Sequence, residues 1–412
     1  MKFYRNEMPE VLVLGMNITG LSVIRSLGRR GVPVTGTDYD PRRIGFRSRY
    51  CRELLCPHPR YAEDRFLKFL VERARAAKAR IALIPTNDEF LLCVSRNRAV
   101  LDEHFVHNLP SKETIENLTD KESFHHVSRN HNYPVPRTYF PNEEDTLYEI
   151  AEAVEYPCLI KPKYGFSSQE LGVKAIRVDS KDDLVPAYSR LAGKSDDLMV
   201  QEVVPGDEGQ QYSLYSYISR DSGVVAAMTS RKLRQMPVHF GVGTHVVTCD
   251  EPAMKELGLA LLTELHYTGL SEIEFKKDCR DGHFKIIEVN ARPWLQISLG
   301  EKCGVDFPWL SYMDTIGEKV PVVESTRNVV KWVCFEPDFY ACFGSSGYVR
   351  KGVLSTRQWF SSLRGEKEFA YYASDDLRPF LCQLYAFSRR LFSGAAKMLV
   401  SMLRKLAPGT SR

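Results

Sequence analysis

Residues 271–293 read SEIEFKKDCRDGHFKIIEVNARP, and this stretch decides the fold. Two runs of alternating polar and apolar residues flank a turn at residues 279–282, which predicts a β-hairpin. A turn centred near Asp281 places Glu274 directly across from Glu288. We therefore expect two carboxylates to face each other on the polar side of an antiparallel strand pair.

The polar face of this hairpin has the composition of a magnesium site. Because side chains alternate along a strand, Glu288, Asn290 and Arg292 share one face. Two facing carboxylates without a cation repel each other, whereas Mg²⁺ accepts such oxygen ligands and keeps positions for phosphate oxygens. The pattern predicts that Glu274, Glu288 and Asn290 hold Mg²⁺. The alternative is a solvated sheet face on which Arg292 neutralises one glutamate.

A second hairpin is predicted upstream, around the loop of residues 164–171. Lys161 and Lys163 alternate onto one face of the strand before this loop. Backbone amides and the hydroxyls of Ser167 and Ser168 can cover a polyphosphate while Lys161 supplies positive charge. The alternative is a mobile hairpin with two exposed lysines. The flanking strand-like runs are PCLIKPK and GVKAIRV.

Strand-like runs follow this hairpin and predict an antiparallel sheet. The run that contains residues 201–206, QEVVPG, ends in a turn whose backbone can hydrogen-bond an adenine edge, with Glu202 beside it. An ordinary strand end is the alternative for this segment. The runs are DLMVQEVV, QYSLYSYIS and GVVAAMTSRKL.

The N-terminal 110 residues read as alternating strands and helices, which predicts a parallel, doubly wound sheet. Gly15 and Gly20 bracket a loop that is similar to a dinucleotide-binding turn, but Asn17 stands where the second glycine should meet a pyrophosphate. Asp38 ends the next strand and is placed to bind a ribose hydroxyl. An NAD site is therefore an alternative, and a plain strand end at Asp38 is favoured.

The order of these parts resembles the ATP-grasp superfamily over about residues 10–325. The resemblance is carried by Asp120-Lys121 before a proline-rich connector, by LIKPKYGFSS and VQEVVPGDE, and above all by the hairpin. SRKLRQMPVHFGVGT, NARPW and, less specifically, KEFAYYASDDLRPFL are similar to a carboxylate–amine ligase branch of that superfamily.

The resemblance implies a mixed fold, α/β and α+β, in which a Rossmann-like N-terminal domain precedes a two-lobed ATP-grasp domain and a helical C-terminal extension. The expected parts are 1–110 (Rossmann-like), 111–195 (small lobe with phosphate flap), 196–325 (large lobe with metal site) and 326–412 (extension).

The same resemblance assigns roles to individual residues. Phosphate contacts are implied for Lys121, Lys161, Lys163, Ser167 and Ser168. Adenine contacts are implied for Gln201, Glu202 and Val204, and a ribose contact for Glu208 or Gln211. Metal ligation is implied for Glu274, Glu288 and Asn290, with Mg²⁺ as the ion and Mn²⁺ as its alternative. Arg292 is implied to face the reacting phosphoryl and carboxylate oxygens.

The implied reaction is an ATP-dependent, ADP-forming ligation of a carboxylate to an amine. Transfer of the γ-phosphoryl group converts the carboxylate into an acyl phosphate, which the amine attacks. Positioning and charge neutralisation by Mg²⁺, Lys161 and Arg292 suit this chemistry. At least one of Arg231, Lys232 and Arg234 is expected to bind the acidic substrate or γ-phosphate. The alternatives are a carboxylase that uses bicarbonate and a non-catalytic regulator that binds ATP or NAD.

Composition narrows the class of partner. The 412 residues carry 56 basic and 52 acidic side chains, a net charge of +4, which gives no reason to expect a nucleic-acid partner. Ten cysteines are scattered without a Cys-x-x-Cys pair, as is typical of a reducing compartment. We expect a cytoplasmic protein whose partners are a small carboxylate and a small amine.

The C-terminal segment, residues 383–406, has the pattern of a basic amphipathic helix. Such a helix can lie on an anionic membrane surface, so peripheral membrane contact is one expectation. Packing against the protein's own lobes is the alternative and is slightly favoured. The apolar face comprises Leu384, Leu391, Ala395, Met398, Leu399, Met402 and Leu406, and the basic face Arg390, Lys397 and Arg404.

Overall fold

The structure, a computed structural model, describes residues 8–141, 144–167, 171–193, 197–221 and 223–391. Within these ranges, no helix has the length and apolar character needed to cross a membrane. Residues 378–391 are helical. The rest of the predicted basic helix, including Lys397 and Arg404, lies outside the described residues.

The first sheet is parallel, as the alternation of strands and helices predicts. Its five strands are β1 (Val11–Leu14), β2 (Val34–Asp38), β3 (Arg52–Leu55), β4 (Ile81–Pro85) and β5 (Phe105–Val106), in the order β3-β2-β1-β4-β5. The accompanying helices are α1 (Ile18–Arg29), α2 (Glu63–Arg75), α3 (Asp88–Arg96) and α4 (Arg98–Leu101), with a 3₁₀ turn at Ile44–Arg47. β1 and β4 are buried along their length, since helices cover both faces of the sheet.

Two short helices connect this sheet to the rest of the chain: α5 (Lys112–Thr119) and α6 (Lys121–Asn130). Leu118 of α5 and Phe124 of α6 belong to one continuous apolar core with Leu12 of β1 and residues of the third sheet. The first sheet and the third sheet are therefore packed on a shared core.

The second sheet is antiparallel and has four strands in the order β6-β9-β7-β8. The strands are β6 (Thr138–Tyr139), β7 (Cys158–Pro162), β8 (Ile176–Val178) and β9 (Leu198–Glu202), covered by α7 (Glu144–Ala153) and α8 (Lys181–Ala192). Two expectations are corrected here. The strand predicted over GVKAIRV begins only at Ile176, and β9 pairs with β7 instead of joining the later strands. Residues 198–202 therefore belong to the second sheet, although the expected boundary lies at residue 195.

The third sheet has seven strands in the order β14-β13-β10-β11-β12-β15-β16. They are β10 (Gln211–Ser219), β11 (Gly223–Met236), β12 (Val242–Cys249), β13 (Gly269–Lys277), β14 (Phe284–Asn290), β15 (Lys331–Val333) and β16 (Lys367–Phe369). All neighbours pair antiparallel except β15 and β16. The accompanying helices are α9 (Pro252–Glu264), α10 (Ser298–Lys302), α11 (Phe307–Thr315), α12 (Phe335–Phe343) and α13 (Thr356–Ser362).

The segment after residue 325 is part of this sheet and of its core. β15 and β16 extend the sheet, and Trp332 is fully buried with residues of β10 and β11. Asp376, which is 2% exposed, accepts hydrogen bonds from Arg25 of α1 and from Ser48. Residues 326–391 are therefore not a separate part, since they extend the third sheet and form hydrogen bonds with α1 and Ser48 of the N-terminal segment.

Candidate active site

A cavity of about 630 Å³ lies where the three sheets meet. Asn17 and Asn87 reach it from the carboxyl ends of β1 and β4, where parallel sheets present ligand-binding loops. Lys161 reaches it from the second sheet, and Glu274 and Glu288 from the third. All three sheets thus contribute polar side chains to one space.

The floor of the cavity is one face of the third sheet. Strict alternation of side chains brings polar residues from four adjacent strands to this face. They are Gln211 and Ser213 of β10, Ser230 and Lys232 of β11, Glu272, Glu274 and Lys276 of β13, and Glu288 and Asn290 of β14.

The acidic part of this floor is the hairpin predicted from the sequence. Glu274 is the register partner of Glu288, and Glu272 is the register partner of Asn290. Burial, followed by the nearby Glu274 carboxylate, raises the pKa of Glu272 to about 8. Burial also disfavours ionised Glu288, but Lys121 and other lysines outweigh it and lower the pKa of Glu288. Three glutamates therefore share a small, desolvated area.

Arg292 links the hairpin to the first domain. Its Nε lies 2.6 Å from Asp88 Oδ1 at the start of α3, and its Nη2 donates to Asn290 Oδ1 at 3.1 Å. Asn290 Nδ2 in turn donates to Glu272 Oε2 at 3.1 Å. A chain of hydrogen bonds therefore runs from α3 through Arg292 to the acidic floor.

The opposite wall carries the predicted phosphate lysines. Lys161 Nζ donates to Gln201 Oε1 at 3.1 Å, and Lys121 Nζ donates to the carbonyl oxygen of Pro162 at 3.3 Å. Burial, with a smaller contribution from the Lys121 charge, lowers the pKa of Lys161 to about 8. Two desolvated cations facing one cavity favour an anionic ligand.

The end of β9 lies at the same cavity, as predicted for a nucleobase contact. Gln201, Glu202 and Val204 all line it. Glu202 is held in place, since its Oε1 accepts from the backbone N of Arg137 at 3.0 Å. Beyond Val204, the cavity is bordered by Gly206.

Glu208 and Gln211, the two candidates for a ribose contact, both line the cavity. The Glu208 carboxylate accepts hydrogen bonds from the Tyr348 hydroxyl and from the backbone N of His239. Glu208 therefore anchors the β11–β12 loop as well as bordering the cavity.

Two of the predicted phosphate contacts, Lys163 and Ser167, do not line the cavity. Lys163 lies after the end of β7, and its Nζ forms an ion pair with Glu122 at 2.7 Å, so it is not on the strand face of Lys161. Ser167 is 2% exposed and does not line the cavity. Ser168 lies outside the described residues.

The basic run on β11 is split between two faces. Pairing with β12 is irregular between Lys232 and Gln235, and such a bulge interrupts the alternation of side chains. Lys232 faces the cavity, with Nζ 3.5 Å from Glu274 Oε2. Arg234 instead turns away and pairs with buried Asp338, and Arg231 Nε donates to the carbonyl oxygen of Gly209. Only Lys232 of the three lines the cavity.

The donor set fits a magnesium ion that also binds phosphate. No group of three or more histidine, cysteine, aspartate or glutamate side chains among the described residues forms a complete protein metal cage. Mg²⁺ does not require one, because it is commonly bound by one or two carboxylates together with phosphate oxygens. Glu274 and Glu288, facing each other opposite two lysines, meet that description, and a cation would relieve their repulsion with Glu272.

Sequence reasoning missed several residues of the cavity, and Glu272, Asp88 and Gln235 show why. Glu272 shares a face with Glu274 by simple alternation, so the sequence carried that signal. Asp88 carried no signal, because only the tertiary structure brings α3 to Arg292. Gln235 faces the cavity only because of the irregular pairing after Lys232, and alternation would have turned it away.

Comparison with known proteins finds relatives at low sequence identity over more than half of this chain. The chain is 26% identical over 240 residues to D-aspartate ligase of Enterococcus faecium, a match that covers 56% of this chain. It covers 57% of that enzyme, so the chain spans little more than half the length of this relative. No protein-family model matches the chain.

Solved structures share the fold at low sequence identity. The biotin carboxylase domain of Hydrogenobacter thermophilus 2-oxoglutarate carboxylase, solved with MgADP and bicarbonate, superposes with a TM-score of 0.63 and 17% identity, covering 78% of this chain and 72% of that one. L-amino acid ligase from Bacillus licheniformis gives a TM-score of 0.59 and 15% identity, covering 77% and 76%. Together with the sequence match, they confirm the superfamily resemblance predicted from the sequence.

Proposed function

We propose that this ATP-grasp protein is an ADP-forming ligase that joins a carboxylate to an amine through an acyl phosphate. The observation that carries the proposal is the cavity itself, in which Lys121 and Lys161 face the Glu274–Glu288 pair with Arg292 beside it. Cations that receive a polyphosphate, carboxylates that receive a divalent ion and an arginine at their edge are the parts that phosphoryl transfer needs.

ATP is assigned to the space between the second and third sheets. Gln201, Glu202 and Val204 would border the adenine, and Glu208 or Gln211 the ribose. Lys121 and Lys161 would neutralise the phosphates, whose negative charge restores the protonated state that burial disfavours in Lys161. Of the residues proposed from the sequence, Lys163, Ser167 and Ser168 are left out of this assignment.

Magnesium is assigned to Glu274, Glu288 and Asn290. When bound, Mg²⁺ would supply positive charge that neutralises the charge developing during phosphoryl transfer. Arg292 would then orient the acceptor carboxylate and stabilise its oxygens, while Asp88 holds the guanidinium in place. Closure of the cavity by the three sheets would keep water from the acyl phosphate.

For the domain arrangement, we assign the first sheet to a Rossmann-like domain and the second and third sheets to the two ATP-grasp lobes. Asn17 and Asn87, each at the start of a helix of the first domain, border the cavity beside Arg292. The first domain would thus contribute to the substrate end and the lobes to the nucleotide end.

We infer the substrate class from the sequence match rather than from the shared fold. D-aspartate ligase is by name a ligase that acts on an amino acid, whereas the carboxylase with bicarbonate shares only the fold at 17% identity. We therefore place an amino acid ahead of bicarbonate among candidate substrates. The regulator alternative is less favoured, because it leaves the Glu274–Glu288 pair and Arg292 without a role.

The test is a turnover screen with the full chain, Mg²⁺ and ATP. Amino acids of both hands, including D-aspartate, would be added singly and in pairs, alongside dipeptides and bicarbonate, and the release of ADP and phosphate measured. Amino-acid-dependent release with a new amide product supports the ligase. Release that depends on bicarbonate alone indicates the carboxylase, and tight ATP binding without release in any mixture indicates a regulator.

Peripheral membrane contact is proposed for the C-terminal helix. Its support is a row of leucines at helical spacing, Leu381, Leu384 and Leu391, which are 56%, 47% and 39% exposed. The helix also packs on its own lobe, because the ring of Phe387 lies 5.5 Å from that of Phe339. Packing through Phe387 therefore leaves the leucine row available to a lipid surface.

A further inference from the structure

One buried polar atom in the cavity has nothing to bind. Gln235 is 2% exposed, and its Oε1 has no hydrogen-bond partner among the described residues. It is the one residue with such an atom among those that line the cavity within the described ranges. A buried acceptor without a donor costs free energy, and an acceptor that lines a cavity can receive its missing donor from a ligand.

Two further polar side chains converge beside Gln235, around Gly243. Gly243 is the register partner of Gln235. A Cβ placed on Gly243 would lie 3.2 Å from Gln296 Nε2 and 3.5 Å from Lys232 Cγ. The absence of a side chain at Gly243 therefore makes the room in which Gln296 and Lys232 stand next to Gln235.

This cluster is adjacent to the acidic floor but separate from the adenine end. Lys232 Nζ lies 3.5 Å from Glu274 Oε2, whereas the proposed adenine contacts come from β9 of the other lobe. Gln296 is 5% exposed and lies four residues after Arg292. A molecule held by Gln235 and Gln296 would thus lie close to the groups assigned to phosphoryl transfer.

The chemistry of the three side chains selects a ligand that carries both an N–H donor and a carboxylate. Gln235 Oε1 accepts a hydrogen bond, Gln296 Nε2 donates one, and the Lys232 ammonium attracts a negative charge. We infer that Gln235, Gln296 and Lys232 form the subsite for an amino-acid substrate, whose amino group donates to Gln235 and whose carboxylate faces Lys232 and Gln296. This inference rests on the proposed ligase function, because it names the substrate class of that site.

The test measures binding rather than turnover. The common L-amino acids and their D-enantiomers would be titrated by calorimetry into the full chain with Mg²⁺ and a non-hydrolysable ATP analogue. Each is paired with its des-amino carboxylate, for example succinate for aspartate. At least one amino acid is expected to bind more tightly than its des-amino partner, because that partner lacks the donor for Gln235. If none does, the inference is wrong.

Substitutions then assign the effect to Gln235. Gln235→Met keeps the shape but removes the acceptor, and should raise the Kd of the preferred amino acid about tenfold or more. Gln235→Glu keeps an acceptor oxygen and should recover most of the affinity. Gln210→Met is the matched control, since Gln210 does not line the cavity, and should leave the Kd unchanged. The nucleotide Kd, measured for every variant, should also remain unchanged.

The outcomes separate this inference from the proposed function. If an amino acid binds wild type through Gln235 but no product forms with hydrolysable ATP, the proposed ligase function is wrong and the subsite is supported. If wild type turns over but Gln235→Met binds the amino acid with an unaltered Kd, the subsite is wrong and the ligase function is supported. A nucleotide Kd that weakens in Gln235→Met as much as the amino-acid Kd would reassign Gln235 to the nucleotide and overturn the inference.

Discussion

Arg292 Nε and Nη2 lie 2.6 and 3.1 Å from the two carboxylate oxygens of Asp88, so the arginine that follows β14 is gripped by the first turn of α3. The two residues are 204 positions apart in the sequence. A paired guanidinium–carboxylate contact of this kind fixes direction as well as charge. The first domain therefore sets the orientation of the side chain that we assign to the reacting oxygens.

Replacing Asp88 should impair catalysis without removing any atom proposed to touch substrate. In Asp88→Asn, Arg292 loses a charged partner. We expect kcat/KM for the carboxylate substrate that ATP phosphorylates to fall about tenfold to a hundredfold, which is the effect of losing one charge-assisted hydrogen bond. Arg292→Lys should cost at least as much, because lysine cannot reproduce the paired geometry. The measurement is steady-state phosphate release.

The matched control for Asp88 is Asp64→Asn. Asp64 also lies in the first turn of a helix, α2, but its side chain is exposed. Its substitution should leave phosphate release unchanged. Equal activity of Asp88→Asn and wild type would show that Arg292 is positioned by other groups.

Removing one carboxylate of the facing pair should disrupt metal-dependent turnover. We expect Glu288→Gln to lower phosphate release about a hundredfold or more, because the developing phosphoryl charge then lacks a firmly held cation. The fold should be retained, because removing one of two facing negative charges removes a repulsion between Glu274 and Glu288 and no attraction. Circular dichroism and thermal unfolding would check the fold, and Glu256→Gln, on the exposed side of α9, serves as control. Undiminished turnover in Glu288→Gln would contradict the proposed metal site.

Nucleotide affinity should depend on pH through Lys161. Burial, then the Lys121 charge, lowers the pKa of Lys161 from 10.5 to about 8 in the free protein. Bound phosphates favour the charged form, so affinity is highest where Lys161 is already protonated, below pH 8, and declines as the pH rises through that value. Between pH 7 and pH 9 the Kd of the ATP analogue should increase about tenfold, one pKa unit being tenfold in protonation.

Calorimetry at several pH values would measure this effect. Binding at pH 9 should take up a proton, which appears as a dependence of the binding enthalpy on the buffer. Lys161→Arg should have a flat pH profile, because arginine stays charged throughout this range. A wild-type profile as flat as that of Lys161→Arg would show that Lys161 does not contact the nucleotide phosphates.

Short-range patterns in the sequence were sufficient for the acidic floor and for the parallel sheet. The register of Glu274 with Glu288 depends only on alternation and on one turn, and the structure has that register. Alternation does not hold along β11, where Lys232 lines the cavity and Arg234 does not. The irregular pairing with β12 separates them, and nothing in the local sequence marks where it falls.

Long-range relations could not be predicted for a different reason. β9 and β10 are both recognisable as strands from the sequence, but only the pairing of β9 with β7 reveals which sheet β9 joins. Lys163 follows Lys161 by two residues, but the strand ends between them at Pro162. The Lys163 ammonium forms an ion pair with Glu122 of α6 instead. Strand ends and ion pairs between distant elements are properties of the packed chain.

The attachment of the C-terminal segment to the first domain should contribute strongly to stability. Asp376 is buried and accepts from Arg25 Nε at 2.9 Å, from Ser48 Oγ at 2.6 Å and from the backbone N of Arg49 at 3.0 Å. Asp376→Asn leaves the Arg25 charge buried without its anion, which costs about 3–5 kcal/mol of unfolding free energy. Urea unfolding would measure the loss.

For this stability measurement, Asp250→Asn is the surface control, and it should change the free energy of unfolding by less than about 0.5 kcal/mol. Asp250 is exposed at the end of β12. A loss in Asp376→Asn as small as that of this control would mean that the segment is held to the first domain by its other contacts.

The leucine row of the C-terminal helix should bind anionic vesicles. Leu384→Glu places a negative charge on the exposed apolar face. This charge opposes burial in lipid and is repelled by an anionic surface, so the substitution should reduce co-sedimentation with phosphatidylglycerol vesicles. Val353→Glu is the matched control, because Val353 is 69% exposed but lies away from this helix in the sequence.

Deletion of residues 382–412 should reduce co-sedimentation further, since it removes Leu384, Leu391 and the basic residues beyond them. Neutral phosphatidylcholine vesicles should retain little of any variant, because the basic side chains then have no opposite charge to approach. Equal co-sedimentation of wild type and the deletion variant would leave Phe387 packing against Phe339 as the role of this helix.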